Sequence, residues 1–212
     1  MRLTASAALL VLTAVVLAGC ASPAGPQTST PPTRPDASAT AAAAEPSATA
    51  GATPTIDPED PSTWLITDSG IGPIELGMPF SAALELMPPG TTNDPERCAW
   101  LAWWTAEDQD YNVYTAGSSD AADAGPVGLV ATEAWANAVA GPGPRTADGI
   151  GVGSTVDEVR AAYPEAVETV DTIDSSIVHL RAGRIFFTYR EDPVIASVTV
   201  TAMEMPPYEL CG

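Results

Sequence analysis

Between residues 156 and 163 the apolar positions Val156, Val159 and Tyr163 recur at i, i+3 and i+7, which is the stripe of a short amphipathic helix. Thr155 stands where it can cap that helix, and Glu158 three residues on can reach back to the cap amide, the capping-box arrangement. A second stripe of Phe80, Ala83, Leu84 and Met87 predicts a helix over 80–87, but there Pro79 takes the capping place, so that start lacks a side-chain acceptor. Each helix must stop before a proline, Pro88 or Pro164, because proline disfavours helical geometry in the residue ahead of it.

After each helix the apolar period falls to two. The second stretch predicts strands at 177–181, 184–190 and 194–202, separated by turns at Ala182-Gly183 and Glu191-Asp192-Pro193. The first predicts strands at 98–104, 111–117 and 127–137, the opening pair joined through Glu107-Asp108-Gln109-Asp110. A weak internal repeat ties the two together. Residues 76–88 align without gaps to 152–164, and each copy is introduced by a glycine-spaced apolar entry, Gly70-Ile71-Gly72 and Gly149-Ile150-Gly151. The fold class this predicts is α+β: two tandem helix-plus-antiparallel-meander units, 64–145 and 146–212, with the helices on one face of the sheet.

Ahead of that domain the pattern is different. Arg2 is followed by an apolar run from Leu3 to Leu17, too short and too rich in alanine for a retained spanning helix, which is the layout of a signal peptide over 1–19. The run closes on Leu17-Ala18-Gly19-Cys20, which resembles the bacterial lipobox. That resemblance implies cleavage before Cys20 and lipidation of its thiol, and two or more acyl chains hold a protein stably on a membrane. Residues 21–63 are dominated by Ala, Ser, Thr and Pro and cannot bury enough apolar area to fold, so 20–63 is predicted to be a lipidated cysteine and a disordered tether. A coil of that length spans roughly 35 Å. Its composition also suits O-glycosylation.

Charge narrows the partners. The chain has 27 acidic and 8 basic side chains for a net charge of -19, and every basic residue is Arg. Nucleic acid is excluded as a partner because a phosphate backbone needs clustered cations. The expected location is the outer, extracytoplasmic face of the cell membrane, held by the lipid anchor, with another envelope protein as partner.

The stretches Ile74-Glu75-Leu76-Gly77-Met78 and 150–159 resemble those of the beta-lactamase inhibitor protein fold. More loosely they are similar to the small lipoprotein of outer-membrane assembly, and to many actinobacterial lipoproteins. The resemblance implies two tandem units and an inhibitor-like role. It carries over no inhibitory residue, since those sit on loops that do not match.

Candidate chemistry is sparse. With Cys20 lipidated, Cys98 and Cys211 remain as an even pair outside the cytoplasm, where a disulfide is the expected state. His179 is the sole histidine, and strand alternation sets it opposite Val178 and Leu180, facing solvent. One histidine with two paired cysteines makes a zinc site a poor fit. Asp108, Asp110 and Asn112 open like a calcium loop, but Val113 and Ser119 stand where glycine and glutamate belong, so a solvated turn is preferred. No cofactor is predicted.

The aromatic residues Trp100, Trp103, Trp104, Tyr111, Tyr114 and Trp135 are concentrated in the first copy. Alternation sends Trp103 to the face opposite Trp100 and Trp104, which leaves a ring on the side away from the helices. Either loops cover that ring, or it forms a binding surface. The expected function is therefore a non-enzymatic protein-binding or inhibitor-like module. The alternatives are a wall hydrolase using acids such as Glu133 and Asp157, or a structural envelope-assembly lipoprotein.

Overall fold

The computed structural model describes residues 56–108, 110–118, 124–134 and 143–211. The expected signal peptide, Cys20 and most of the expected tether lie outside the described residues, as do Trp135 and Ser119. A single 3-10 turn at Pro61–Thr63, capped by the Asp60 carboxylate, leads into the fold. There Trp64, 2% exposed, donates its indole N–H to the Asp57 carbonyl at 2.9 Å.

The strands are β1 Leu65–Thr67, β2 Gly70–Ile71, β3 Ile74–Glu75, β4 Thr92–Asp94, β5 Cys98–Thr105, β6 Asn112–Gly117 and β7 Val127–Glu133. They continue as β8 Arg145–Thr146, β9 Val167–Val170, β10 Val178–Ala182, β11 Ile185–Tyr189 and β12 Ser197–Thr201. The helices α1, Phe80–Leu86, and α2, Val156–Ala162, have seven residues each. The strands form a four-stranded sheet of order β3-β2-β1-β8 and an eight-stranded antiparallel sheet of order β4-β5-β6-β7-β12-β11-β10-β9.

This overturns the expected α+β class of two helix-plus-meander units. The described chain is mostly β, with 12 strands in two sheets and two short helices. Three physical causes account for the difference. Pro88 and Pro164 cut each helix to about two turns, too little to form a layer. The first glycine-spaced entry, read as a leader to a helix, carries strand β2 and runs on into β3 of a second sheet, and the second entry touches that sheet through Gly151, which bridges to Arg145 of β8. Finally, β7 pairs with β12 over five residues, so the expected separate meanders are one continuous sheet.

Local chemistry explains the pieces that were legible. Thr155 and Glu158 form the capping box, with Thr155 N–H donating to Glu158 Oε2 at 2.7 Å and Glu158 N–H to Thr155 Oγ1 at 3.2 Å. Pro79 caps α1 without any side-chain bond. Backbone bonds lock the helix entries to the sheet: Gly77 N–H donates to the Val127 carbonyl at 2.8 Å, and Gly153 N–H to the Ile195 carbonyl at 2.8 Å. Gly183 turns β10 into β11 at φ 62°, and a Cβ there would meet the Asp68 carboxylate at 2.4 Å. That carboxylate accepts instead from Arg184 N–H at 2.8 Å.

One face of the large sheet, the inner face, carries the core. Val113, Val130, Leu180, Phe187, Val198 and Val200 pack there with Val156 and Val159 of α2, Phe80 and Ala83 of α1, and Trp64, Ile66, Ile71 and Ile74 from the small-sheet region. Burial of this contiguous apolar area is the main stabilising term. The opposite, outer face has a smaller cluster of Ala116, Leu129 and Ala131, packed by Leu101, Tyr114 and Leu210.

Candidate functional site

Strand register orders the outer face into rows. One polar row runs Thr105, Asn112, Glu133, Ser197, Thr188, His179 and Thr169 across neighbouring strands. Beside it a second row runs Trp103, Tyr114, Ala131, Thr199, Phe186 and Arg181. Because side chains alternate with period two, every member of these rows stands on the outer face.

Over the β5–β7 end of these rows lies the C-terminal segment. Cys211 is bonded to Cys98 with their Cα atoms 5.9 Å apart, which is the disulfide expected from the cysteine count. Trp100 donates its indole N–H to the Leu210 carbonyl at 2.8 Å, so the segment is held at two adjacent points. Two clefts flank it. The first, about 410 Å³, lies between the segment and Ala116, Gly117, Gly128 and Leu129. The second, about 360 Å³, is walled by Leu101, Trp103, Asn112, Tyr114 and Glu133 of the sheet, with Pro207, Tyr208 and Leu210 of the segment.

The aromatic set expected to form one surface divides. Trp104 and Tyr111 pack together in the core, with ring centroids 5.8 Å apart, and Tyr111 is 4% exposed. Burial, aided by the charges of Asp60 and Asp108, pushes its phenol up to about 12. Trp100 is half-buried against the same core. Only Trp103 and Tyr114 line the second cleft. Trp135 is outside the described residues.

The acids and bases of the outer face have distinct environments. Glu133 ends β7 and is exposed, yet the groove wall desolvates its carboxyl and pushes it above the usual range, while the Arg190 guanidinium opposes this. Burial raises the Tyr114 phenol well above its ordinary value, the Glu133 charge adds to the effect, and hydrogen bonds with Ser197 and Thr199 oppose it. Asn112 keeps its amide oxygen buried without a hydrogen-bond partner.

His179 is buried, against the expectation that it faces solvent. It stands opposite Leu180, as alternation requires, but it is 3% exposed and does not face solvent. Its Nδ1 lies 2.9 Å from Thr188 Oγ1, while its Nε2 is 3.7 Å from Asp171 Oδ2, too far for a hydrogen bond. Burial holds the imidazole below its ordinary value, with Asp171 opposing. Asp171 accepts N–H bonds from Asp174 and Ile173, and these hold its carboxyl below the usual range. The turn this builds closes over the histidine, a covering that strand alternation alone does not reveal.

The remaining expected residues are not brought together. Asp108 and Asp110 stay in the β5–β6 turn, where Asp110 N–H donates to Asp108 Oδ1 at 3.3 Å, and Asn112 belongs to the sheet groove. Among the described residues no group of three or more His, Cys, Asp or Glu side chains converges as a metal site. Glu133 is on the outer face, whereas Asp157 is exposed on α2, which packs on the inner face. Sequence reasoning missed Leu101, Pro207, Tyr208 and Leu210 as groove walls. Only the Cys98–Cys211 pairing hinted that the C-terminal segment would reach the first strands.

No family model, curated protein or solved structure matches the chain.

Proposed function

We propose that the protein is an extracytoplasmic lipoprotein, anchored through lipid on Cys20, whose domain binds a protein partner through the outer face of β5–β7. The observation that carries this reading is the second cleft, where Trp103, Tyr114 and Tyr208 stand beside a C-terminal segment pinned by the disulfide. Aromatic rings on a rigid sheet supply large contact area at low entropic cost. A segment fixed by a covalent bond does not have to be ordered on binding.

The tether of residues 20–63 gives the domain reach from the membrane, and the likeness of its glycine-led helix starts to the inhibitor-protein fold is in keeping with a binding role. A wall hydrolase is less well supported, because the acids Glu133 and Asp157 stand on opposite sides of the sheet. The test compares wild type with Trp103→Ala in photo-crosslinked capture from intact envelopes; amine-directed reagents have no Lys side chain to react with. A specific adduct with wild type, lost in Trp103→Ala, is expected. Equal capture by both proteins would refute the reading.

A further inference from the structure

Among the groove-lining side chains Leu101, Trp103, Asn112, Tyr114, Glu133 and Tyr208 there is no cation, while rings and acceptors are both present. Tyr208 is 46% exposed, and Glu133 is in no ion pair among the described residues. Arg190, the cation whose charge reaches Glu133, is already engaged, its Nη1 donating to Asp174 Oδ2 at 2.9 Å and Ser176 Oγ at 3.0 Å. In the same wall the Asn112 amide oxygen lacks a donor.

The other half of the same register row shows what such a set accommodates. There the ring is Phe186, and the chain supplies its own cation: the Arg181 guanidinium lies 5.2 Å from the ring centroid. On the β5–β6 half, Trp103 and Tyr114 occupy the row, and among the described residues that line the cleft there is no arginine.

We propose that the cleft between β5–β7 and the C-terminal segment takes a cationic side chain, arginine or lysine, presented by the partner protein. This rests on the protein-binding reading above and names what that surface recognises. A ring face attracts a cation through its quadrupole. The Glu133 carboxylate pairs with it by a charge-assisted hydrogen bond, and Asn112 accepts a further N–H. The net charge of -19, with no Lys in the chain, steers a basic partner toward this surface and disfavours an acidic one.

The test uses the full chain in detergent micelles, 15N-labelled, titrated with acetyl-Gly-Arg-Gly-amide and with the same peptide carrying citrulline, an uncharged near-isostere of arginine. The Trp103 indole N–H signal is expected to shift with the arginine peptide, with affinity reduced about tenfold or more for citrulline and for Glu133→Gln. Circular dichroism of Glu133→Gln should match wild type, which separates lost binding from lost folding. Equal shifts with both peptides, no effect of Glu133→Gln, or a shift of Trp103 only with chitotriose would overturn the cation assignment. If the peptides bind alike while Trp103→Ala still abolishes partner capture, the cation falls and the protein-binding reading stands. If capture survives Trp103→Ala as well, both fall.

Discussion

The two halves of the large sheet, β4–β7 and β9–β12, meet at β7 and β12 and mirror each other in strand order, yet their outer faces are finished differently. In the β9–β12 half, Phe186 is 1% exposed beneath Arg181, and His179 is closed over by the turn that Asp171 builds. In the β5–β7 half, Trp103 and Tyr114 stand at the wall of a cleft, and a disulfide-held segment forms the other wall. The same backbone lattice thus carries one filled surface and one open surface. A half that is filled contributes stability, and a half that is left open is where recognition can occur.

The largest way to break this contrast is to cut the strap. Replacing Cys98 and Cys211 with Ala opens a loop closed across 113 residues of sequence. In the chain-entropy model that costs about 5 kcal/mol, read as a fall in denaturation midpoint, and Trp103 should become more accessible to fluorescence quenchers. Next, Phe186→Ala in the filled half should cost about 3 kcal/mol, whereas Trp103→Ala, whose ring is partly exposed at the cleft, should cost about 1 to 2 kcal/mol, both by chemical denaturation. Equal costs would erase the distinction between the halves. Thr155→Ala, which removes the capping box of α2, should cost about 1 kcal/mol and leave the groove intact.

A pH series sharpens the comparison further. The folded-state imidazole of His179 is held below its ordinary value, so the unfolded chain takes up the proton first as pH falls. Stability should therefore decline as pH drops through about 6.5, and stop declining on this account below the folded value. His179→Leu should remove that slope. Asp171 has the opposite habit: its depressed folded value gives stability that is complete above the ordinary carboxylate range and is lost as pH falls from there through the folded value. In the open half Glu133 is raised, so Glu133→Gln should leave stability unchanged or slightly higher at neutral pH. Chemical denaturation at pH 7.5 and 5.5 reads the His179 and Glu133 effects, and a further point near pH 3 reads that of Asp171.

Much of this contrast was invisible in the amino-acid pattern for definable reasons. Thr155 with Glu158, and the alternation of Val198 and Val200 against Ser197, Thr199 and Thr201, are local signals, and the structure contains the helix and strand they imply. The strands β2, β3 and β8 have two residues each and leave no period to detect. The fold class failed there, and again at the β7–β12 pairing, which joins residues some 70 positions apart. Trp103 was legible as facing away from Trp104, because alternation alone decides that. Tyr208 and Leu210 were not, since their place depends on a segment folding back under a disulfide.

The central claim is that the open half of the outer face is the binding surface, and position-specific photo-crosslinking in intact envelopes tests it most directly. A photoreactive residue at Tyr208, 46% exposed beside the groove, is compared with one at Ile173, 71% exposed in the filled half. The account predicts a discrete protein adduct from position 208 that is lost in Trp103→Ala, and none from position 173. An adduct from position 173 with none from position 208 would contradict it.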